Sequence, residues 1–301
     1  MLKWLLLIVF VGSAGWVHLR GRVRHRFTRQ LTDHSTFMAP INAVMYATSA
    51  VPGRPYLDLD AFPTLAPLRE HWREIRAEAL ALRDGERIRA SDRHDDAGFN
   101  SFFRRGWKRF YLKWYGDAHP SARSLCPFTT ALLAGIPEIK AAMFAELPPG
   151  AILQKHRDPY AGSLRYHLGL ITPNHPDCYI CVDGERYYWR DGEAVLFDET
   201  FIHYAENATT DDRIILFCDI ERPLRYRWAR AVNRFLADTL IAASQAPNTE
   251  GDPTGRVNRA FGVLYRFRLW NKRLKARSRF AYYGLQWLLI GGALVWLFWP
   301  G

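Results

Sequence analysis

Apolar positions along this 301-residue chain change their spacing several times, and each spacing predicts a different element. Trp4 to Leu19, WLLLIVFVGSAGWVHL, is an almost uncharged run close to the shortest helix that crosses a bilayer. A membrane anchor is the expectation. A cleaved signal is suggested by the cluster Gly12-Ser-Ala-Gly15, but the cluster lies inside the run and arginines follow at once; a buried soluble helix is the third reading. Phe280 to Trp299 carries no charge and only Gln286 as a strongly polar residue, with Tyr282, Tyr283, Trp287, Trp296 and Trp299 placed as interfacial aromatics. One transmembrane helix is therefore predicted at each end, over residues 1–19 and 280–299.

Between them, Leu65, Leu68, Trp72, Ile75, Ala79 and Leu82 recur at spacings of three and four. That spacing predicts a core-packing amphipathic helix from about Thr64 to Gly85. From Trp107 the pattern alternates, with Phe110, Leu112 and Trp114 on one face and Arg109, Tyr111 and Lys113 on the other. This is a half-exposed strand, or a basic-aromatic surface for an anionic lipid headgroup. Pro137 before IKAAMFAEL predicts a short helix ending at the Pro148-Pro149-Gly150 turn. From Ala151 the period becomes two: AILQKH, LRYHLGLI, CYICV, ERYYW, AVLF and RIILFCDI follow one another, with a hairpin signal at Asp183-Gly184. Short strands so spaced predict a mainly β domain, a double-sheet jelly roll or a barrel. The plan is a basic juxtamembrane segment over 20–60, the β domain over 61–222, and an amphipathic, basic helical segment over 223–279. In that last segment PLRYRWARAVNRFLADTL suits a membrane surface or a domain surface equally, and SQAPNTEGDPTG reads as a flexible linker.

The net charge of +11 sharpens this plan through its distribution. Arg20, Arg22, Arg24, Arg26 and Arg29 follow the first apolar run, and a cluster from Arg256 to Arg279 precedes the second. Without these two clusters the bases no longer outnumber the acids, so a nucleic-acid partner loses its support. Both clusters lie on the inner side of their runs, which by the positive-inside rule places the central domain in the cytoplasm. Four cysteines fit a reducing compartment: Cys178 and Cys181 fall on opposite faces of a strand, and with Cys126 and Cys218 they are expected as buried free thiols.

Candidate chemistry concentrates between His156 and Arg213. His156-x-Asp158 puts an imidazole and a carboxylate on one side of an extended segment, and a second histidine would complete a set that holds Fe(II) on one face. His167 and His203 both qualify, whereas His175 sits in the turn TPNHPD. In LRYHLGL, Arg165, His167 and Gly169 share one face, which suggests a site where the glycine leaves room for a bound molecule. Arg213 enters the apolar face of RIILFCDI, where a lone guanidinium needs an anionic partner such as the far carboxylate of a keto acid. Asp198 and Asn207, near His203, are candidate supports for the ligands.

PPGAILQKHRDPYAGSLRYHLGL, GEAVLFDETFIHYAEN and DDRIILFCDIERP together resemble the aspartyl/asparaginyl β-hydroxylase family and, with the two apolar ends, its bacterial membrane lipid A hydroxylases. The resemblance implies a double-stranded β-helix (jelly roll) dioxygenase core with flanking helices, dependent on Fe(II), 2-oxoglutarate and O2. By it, His156, Asp158 and His203 match the metal ligands, Arg213 the partner of the co-substrate's distal carboxylate, and Arg165 and His167 further co-substrate contacts. Ala145 stands where some members carry a serine that touches the co-substrate. The implied reaction is 2-hydroxylation of a lipid A acyl chain at the cytoplasmic face of a bacterial inner membrane, with oxidative decarboxylation to succinate and CO2. β-Hydroxylation of protein Asp or Asn, and a non-catalytic membrane-anchored metal-binding scaffold, are the alternatives.

Overall fold

The structure, a computed structural model, describes residues 2–91 and 95–278 and five isolated positions beyond. The span expected at 280–299 falls outside the continuous described residues. Among the described residues ten strands carry the fold: β1 (Tyr56–Leu57), β2 (Lys108–Trp114), β3 (Ile139–Leu147), β4 (Ile152–His156), β5 (Ser163–Ile171), β6 (Cys178–Val182), β7 (Glu185–Tyr188), β8 (Ala194–Phe197), β9 (His203–Asn207) and β10 (Arg213–Glu221). They form a larger sheet in the order β1-β8-β5-β10-β3-β2 and a smaller one in the order β4-β9-β6-β7. Every pairing among them is antiparallel. From β3 to β10 the chain passes back and forth between the sheets, which makes the domain a jelly roll.

The larger sheet is buried on both faces. Met143, Val195, Phe197, Ile215 and Phe217 point inward and meet Leu153, Ile180 and Ala205 of the smaller sheet. Phe144, Tyr166, Leu168 and Leu216 point the other way and are covered by Ile75, Ala79 and Leu82 of the helix Trp72–Asp84 and by Leu133 of the helix Pro127–Ala134. The predicted amphipathic stripe thus packs as expected, although His71 interrupts it between the helix Ala66–Glu70 and the helix starting at Trp72.

Double burial also explains where the expectations fail. IKAAMFAEL is β3, not a short helix, since a strand between two others needs side chains that pack on both sides, and its alanines fit there whatever their helix propensity. In β2 the basic-aromatic face is interior: Arg109 pairs with Asp96 at 3.0 Å and Tyr111 is buried, so no headgroup surface exists there. Gly169 makes room for backbone, not for a ligand, because a Cβ would lie 2.0 Å from the Arg190 carbonyl oxygen. The supposed linker is pinned to the domain: Asn248 accepts from the Tyr111 N–H at 2.7 Å and donates to the Tyr111 carbonyl at 2.8 Å. All four cysteines are buried and free, as expected.

The apolar run forms one helix, Leu2–Leu19, largely exposed along its length and packed near its end against the helix Ala39–Thr48. Arg20, expected among the membrane-flanking bases, is instead drawn into the domain. With Arg222 it closes on the buried Asp198 at 2.6 and 2.8 Å, and its guanidinium lies 4.0 Å from the Tyr46 and Phe201 ring centres.

Gly169→Ala is expected to lower stability by about 1–3 kcal/mol through forced separation of β5 from the Arg190 backbone. A thermal melt of the purified chain in detergent checks this, and an unchanged midpoint contradicts it.

Candidate active site

β4 ends at His156 and β9 begins at His203, and the two residues are register partners in the smaller sheet. The pairing brings their rings to 4.2 Å between centroids. Asp158 lies just past the end of β4, with its Oδ1 3.6 Å from His156 Nε2. The ligand atoms of His156, Asp158 and His203 all lie within 4.8 Å of one another.

Both rings are aimed by backbone. His156 Nδ1 lies 2.7 Å from the Gln154 carbonyl and His203 Nδ1 lies 3.0 Å from the Phe201 carbonyl. With Nδ1–H donating, each Nε2 keeps its lone pair for a metal. Burial depresses the His203 pKa to about 3, helped by His156 and opposed by Asp158. Burial likewise lowers that of His156, so both rings are neutral near neutral pH. Asp158 behaves oppositely: burial would raise it, but Arg165 and the two histidines hold it down to about 2, ionised and ready to bind a cation.

Arg165, on the inward face of β5, is committed to carboxylates. It reaches Asp158 at 2.7 Å, Glu199 at 2.5 Å and Asp219 at 3.0 Å, and lies 3.8 Å from the Phe217 ring centre. Its Nη2 and Nε are thereby engaged, so Arg165 positions Asp158 in addition to lining the cavity. Glu199 and Asp219 were missed as site residues by sequence reasoning. The available signal was electrostatic: an arginine on an otherwise apolar strand requires buried counter-charges, and acids stood in the apolar stretches FDETF and RIILFCDI. Asp198, by contrast, serves Arg20 and Arg222, and Asn207 donates to the Leu147 and Asp211 carbonyls. These two hold loops in place, and the ligands take their orientation from backbone carbonyls and Arg165.

Arg213 and His167 line another part of the same cavity, and their polar atoms are left open. Arg213 is 2% exposed, its Nε has no partner, and among the described residues no carboxylate pairs with it. It lies 4.4 Å from the Trp189 ring centre, and burial pushes its pKa down to about 10 against the pull of Cys178 and Glu146. His167 stacks on Phe217 with both ring nitrogens unpartnered, and burial keeps it neutral. An uncompensated buried guanidinium beside a free imidazole is a seat for an anion. Ala145 lines the cavity without a hydroxyl, and Phe99, Phe102, Trp107, Leu153 and Ile180 complete apolar walls.

Fold and site define a class: a jelly-roll protein whose interior cavity joins a two-histidine, one-carboxylate cluster to an unpaired arginine. Comparison with known proteins gives the family. The sequence profile of the aspartyl/asparaginyl beta-hydroxylase family matches residues 69–223, and the chain belongs to that family. It is similar to the ornithine lipid ester-linked acyl 2-hydroxylase of Rhizobium tropici, 37% identical over 190 residues, covering 62% of this chain and 67% of that protein. It is also similar to aspartate beta-hydroxylase domain-containing protein 2 of Homo sapiens, 33% identical over 126 residues, covering 39% of this chain and 34% of that one. Among solved structures, a Pseudomonas putida prolyl-4-hydroxylase superposes with a TM-score of 0.34 and 18% identity over 52% of this chain and 88% of that one.

Two outcomes follow from the geometry. His156→Ala and Asp158→Ala are each expected to weaken Co(II) binding by about 100-fold or more, and Arg165→Lys by about 10–100-fold, as read in a visible-absorption titration. In the metal-free chain, the stability gained by keeping His203 neutral is complete above about 6.5, its ordinary value, and is lost as the pH falls toward 3. Urea midpoints should drop across that window, less so in His203→Gln; equal slopes would refute the assignment.

Proposed function

We propose that the chain is an Fe(II)- and 2-oxoglutarate-dependent dioxygenase that 2-hydroxylates an acyl chain of a membrane lipid. The observation that carries this reading is the presence, in one apolar cavity, of the cluster His156, Asp158 and His203 and the unpaired guanidinium of Arg213. The three side chains fit Fe(II), since two neutral imidazoles and an ionised carboxylate leave further positions open to small ligands. With Fe(II), 2-oxoglutarate and O2 bound, the site would gain an oxidant for unactivated C–H bonds, one oxygen atom going to succinate, released with CO2, and the other to the substrate.

This chain's own residues do the rest. Arg213 pairs with the distal carboxylate of the co-substrate, and the neutral ring of His167 offers it a hydrogen-bond donor. Arg165 keeps Asp158 turned toward the metal position, and aromatic rings wall the cavity beside it. No side chain is needed as a general base for hydroxylation of a C–H bond.

A lipid substrate is supported by the Rhizobium tropici relative and by the apolar N-terminal helix. Lipid A, to which the sequence resemblance points, and ornithine lipid, named for that relative, both carry an acyl chain that can be hydroxylated, and they differ in the headgroup. In this reading the helix Leu2–Leu19 anchors the catalytic domain on the cytoplasmic face of a bacterial inner membrane. The family description and the aspartate beta-hydroxylase domain named for the human relative support a second reading, hydroxylation of Asp or Asn in a protein.

Lipid mass spectrometry of cells expressing the chain is expected to show one added oxygen on an acyl chain of lipid A or of ornithine lipid, absent with His156→Ala. No oxygenated lipid, with an oxygenated Asp or Asn peptide instead, would replace the first reading by the second. Succinate release in vitro excludes a non-catalytic scaffold. Arg213→Leu should raise the KM for 2-oxoglutarate by on the order of 100-fold, the cost of removing one partner of a buried charged pair.

A further inference from the structure

The loop that follows β4 is held from outside by the segments that leave the apolar helix. Arg157, between the ligands His156 and Asp158, is 1% exposed and donates from Nη1 to the Val17 carbonyl at 2.5 Å, in the last turns of Leu2–Leu19. His34 lies 2.8 Å from the Arg157 carbonyl, Arg29 donates to the Lys155 carbonyl at 2.7 Å, and Asn42 donates to the Pro159 carbonyl at 2.8 Å. On the other flank, Asn233 of the helix Arg227–Leu236 donates to the Gly162 carbonyl at 3.0 Å and accepts from the Tyr160 hydroxyl.

The same segments expose their apolar side chains. Phe27 and Leu31 of the helix Phe27–Thr32 are 67% and 56% exposed, and Phe37 is 69% exposed. Trp228, Val232 and Phe235, at helical spacing on Arg227–Leu236, are 56%, 41% and 66% exposed. Large apolar groups grouped this way mark a binding surface. Exposed arginines surround them, including Arg24, Arg26, Arg227 and Arg234. The helix Ala39–Thr48, against which the apolar helix packs, also contacts Arg227–Leu236.

We propose that Phe27–Thr32, the end of the helix His34–Phe37 and Arg227–Leu236 dock on an anionic bilayer beside the foot of the N-terminal helix, and so hold the metal-binding loop at the lipid surface. An anionic bilayer is the partner that fits. It accepts apolar side chains at acyl depth, attracts the surrounding arginines, and is already where the adjacent helix is read as lying. A second copy of the chain fits less well, since a two-fold contact through these faces would bring like-charged arginines together. The surface rests on the membrane reading above and adds a fixed orientation: the acyl chain reaches the cavity from the bilayer, without extraction into water.

The four native cysteines are buried, so a thiol-reactive fluorophore can be directed to one added site. The full chain carries Phe27→Cys, Phe235→Cys or, as a control, Asp84→Cys at the end of the helix that covers the larger sheet. Each is placed, one copy per disc, in anionic nanodiscs containing lipid with a quencher on its acyl chain. Quenching at positions 27 and 235 is expected to exceed that at 84 by about threefold or more, as interfacial burial implies. The exposed-face variant Trp228→Ser/Val232→Ser/Phe235→Ser should reduce quenching of the Phe27→Cys label toward the control, while the chain stays in the disc through Leu2–Leu19. Equal quenching at all three positions overturns the proposal, as does protection at 27 and 235 that appears only with two copies per disc. A chain that fails to enter discs removes the membrane reading as well, whereas entry with unquenched labels removes docking alone.

Discussion

A charge buried inside a jelly roll must find its counter-charges nearby, and Arg165 is the charge around which this one is arranged. Its partners come from three places: Asp219 from the neighbouring strand β10, Asp158 from the loop after β4, and Glu199 from the turn before β9. One guanidinium thus ties the larger sheet to both segments that carry the candidate ligands. The excess of carboxylates has a further effect. Burial, with Asp219 and Asp158 adding to it, drives Glu199 well above the usual carboxylate range despite Arg165, while Asp158 stays ionised. Asp219 is pushed up as well, so burial and neighbouring carboxylates act on both acids that share Arg165 with Asp158.

The cavity is unequal in how its polar groups are served. Around Asp158 the hydrogen bonds and ion pairs are made within the protein, and the imidazoles are aimed by main-chain carbonyls, which cannot rotate away. Around Arg213, Nε and both nitrogens of His167 lack protein partners. Leaving such groups unpaired in the fold costs stability, and a site that binds a carboxylate recovers it only on binding. Three preorganised candidate ligands thus stand beside an unsatisfied anion seat.

The segment between the apolar helix and the jelly roll is part of the same packed body. Asp198 gathers Arg20 and Arg222, Asp183 accepts from the Arg22 and Val23 amides, and Arg157 reaches the end of the helix itself. A flexible tether would let the domain take any orientation. These buried contacts instead fix how the helix meets the loop carrying Asp158.

Local pattern was sufficient wherever one residue's neighbours along the chain determined its surroundings. The alternation in LRYHLGL and RIILFCDI determined that Arg165, His167, Arg213 and Asp219 face one way, and the positive-φ pair Asp183-Gly184 forms the predicted hairpin turn. The amphipathic stripe, the free thiols and the β class were legible for the same reason. Whether His167 or His203 joins His156 and Asp158 was open from spacing alone, because it depends on the pairing of β4 with β9, two strands distant in sequence. β3 became a strand and not a helix because it had to fill a gap between β2 and β10. Arg20 and Arg109 looked like surface charges because their acids lie far away in the chain or beyond a loop. Sequence by itself determined which way side chains point along each strand; only the tertiary structure decided which strands meet, and burial then made each lone charge choose its partner.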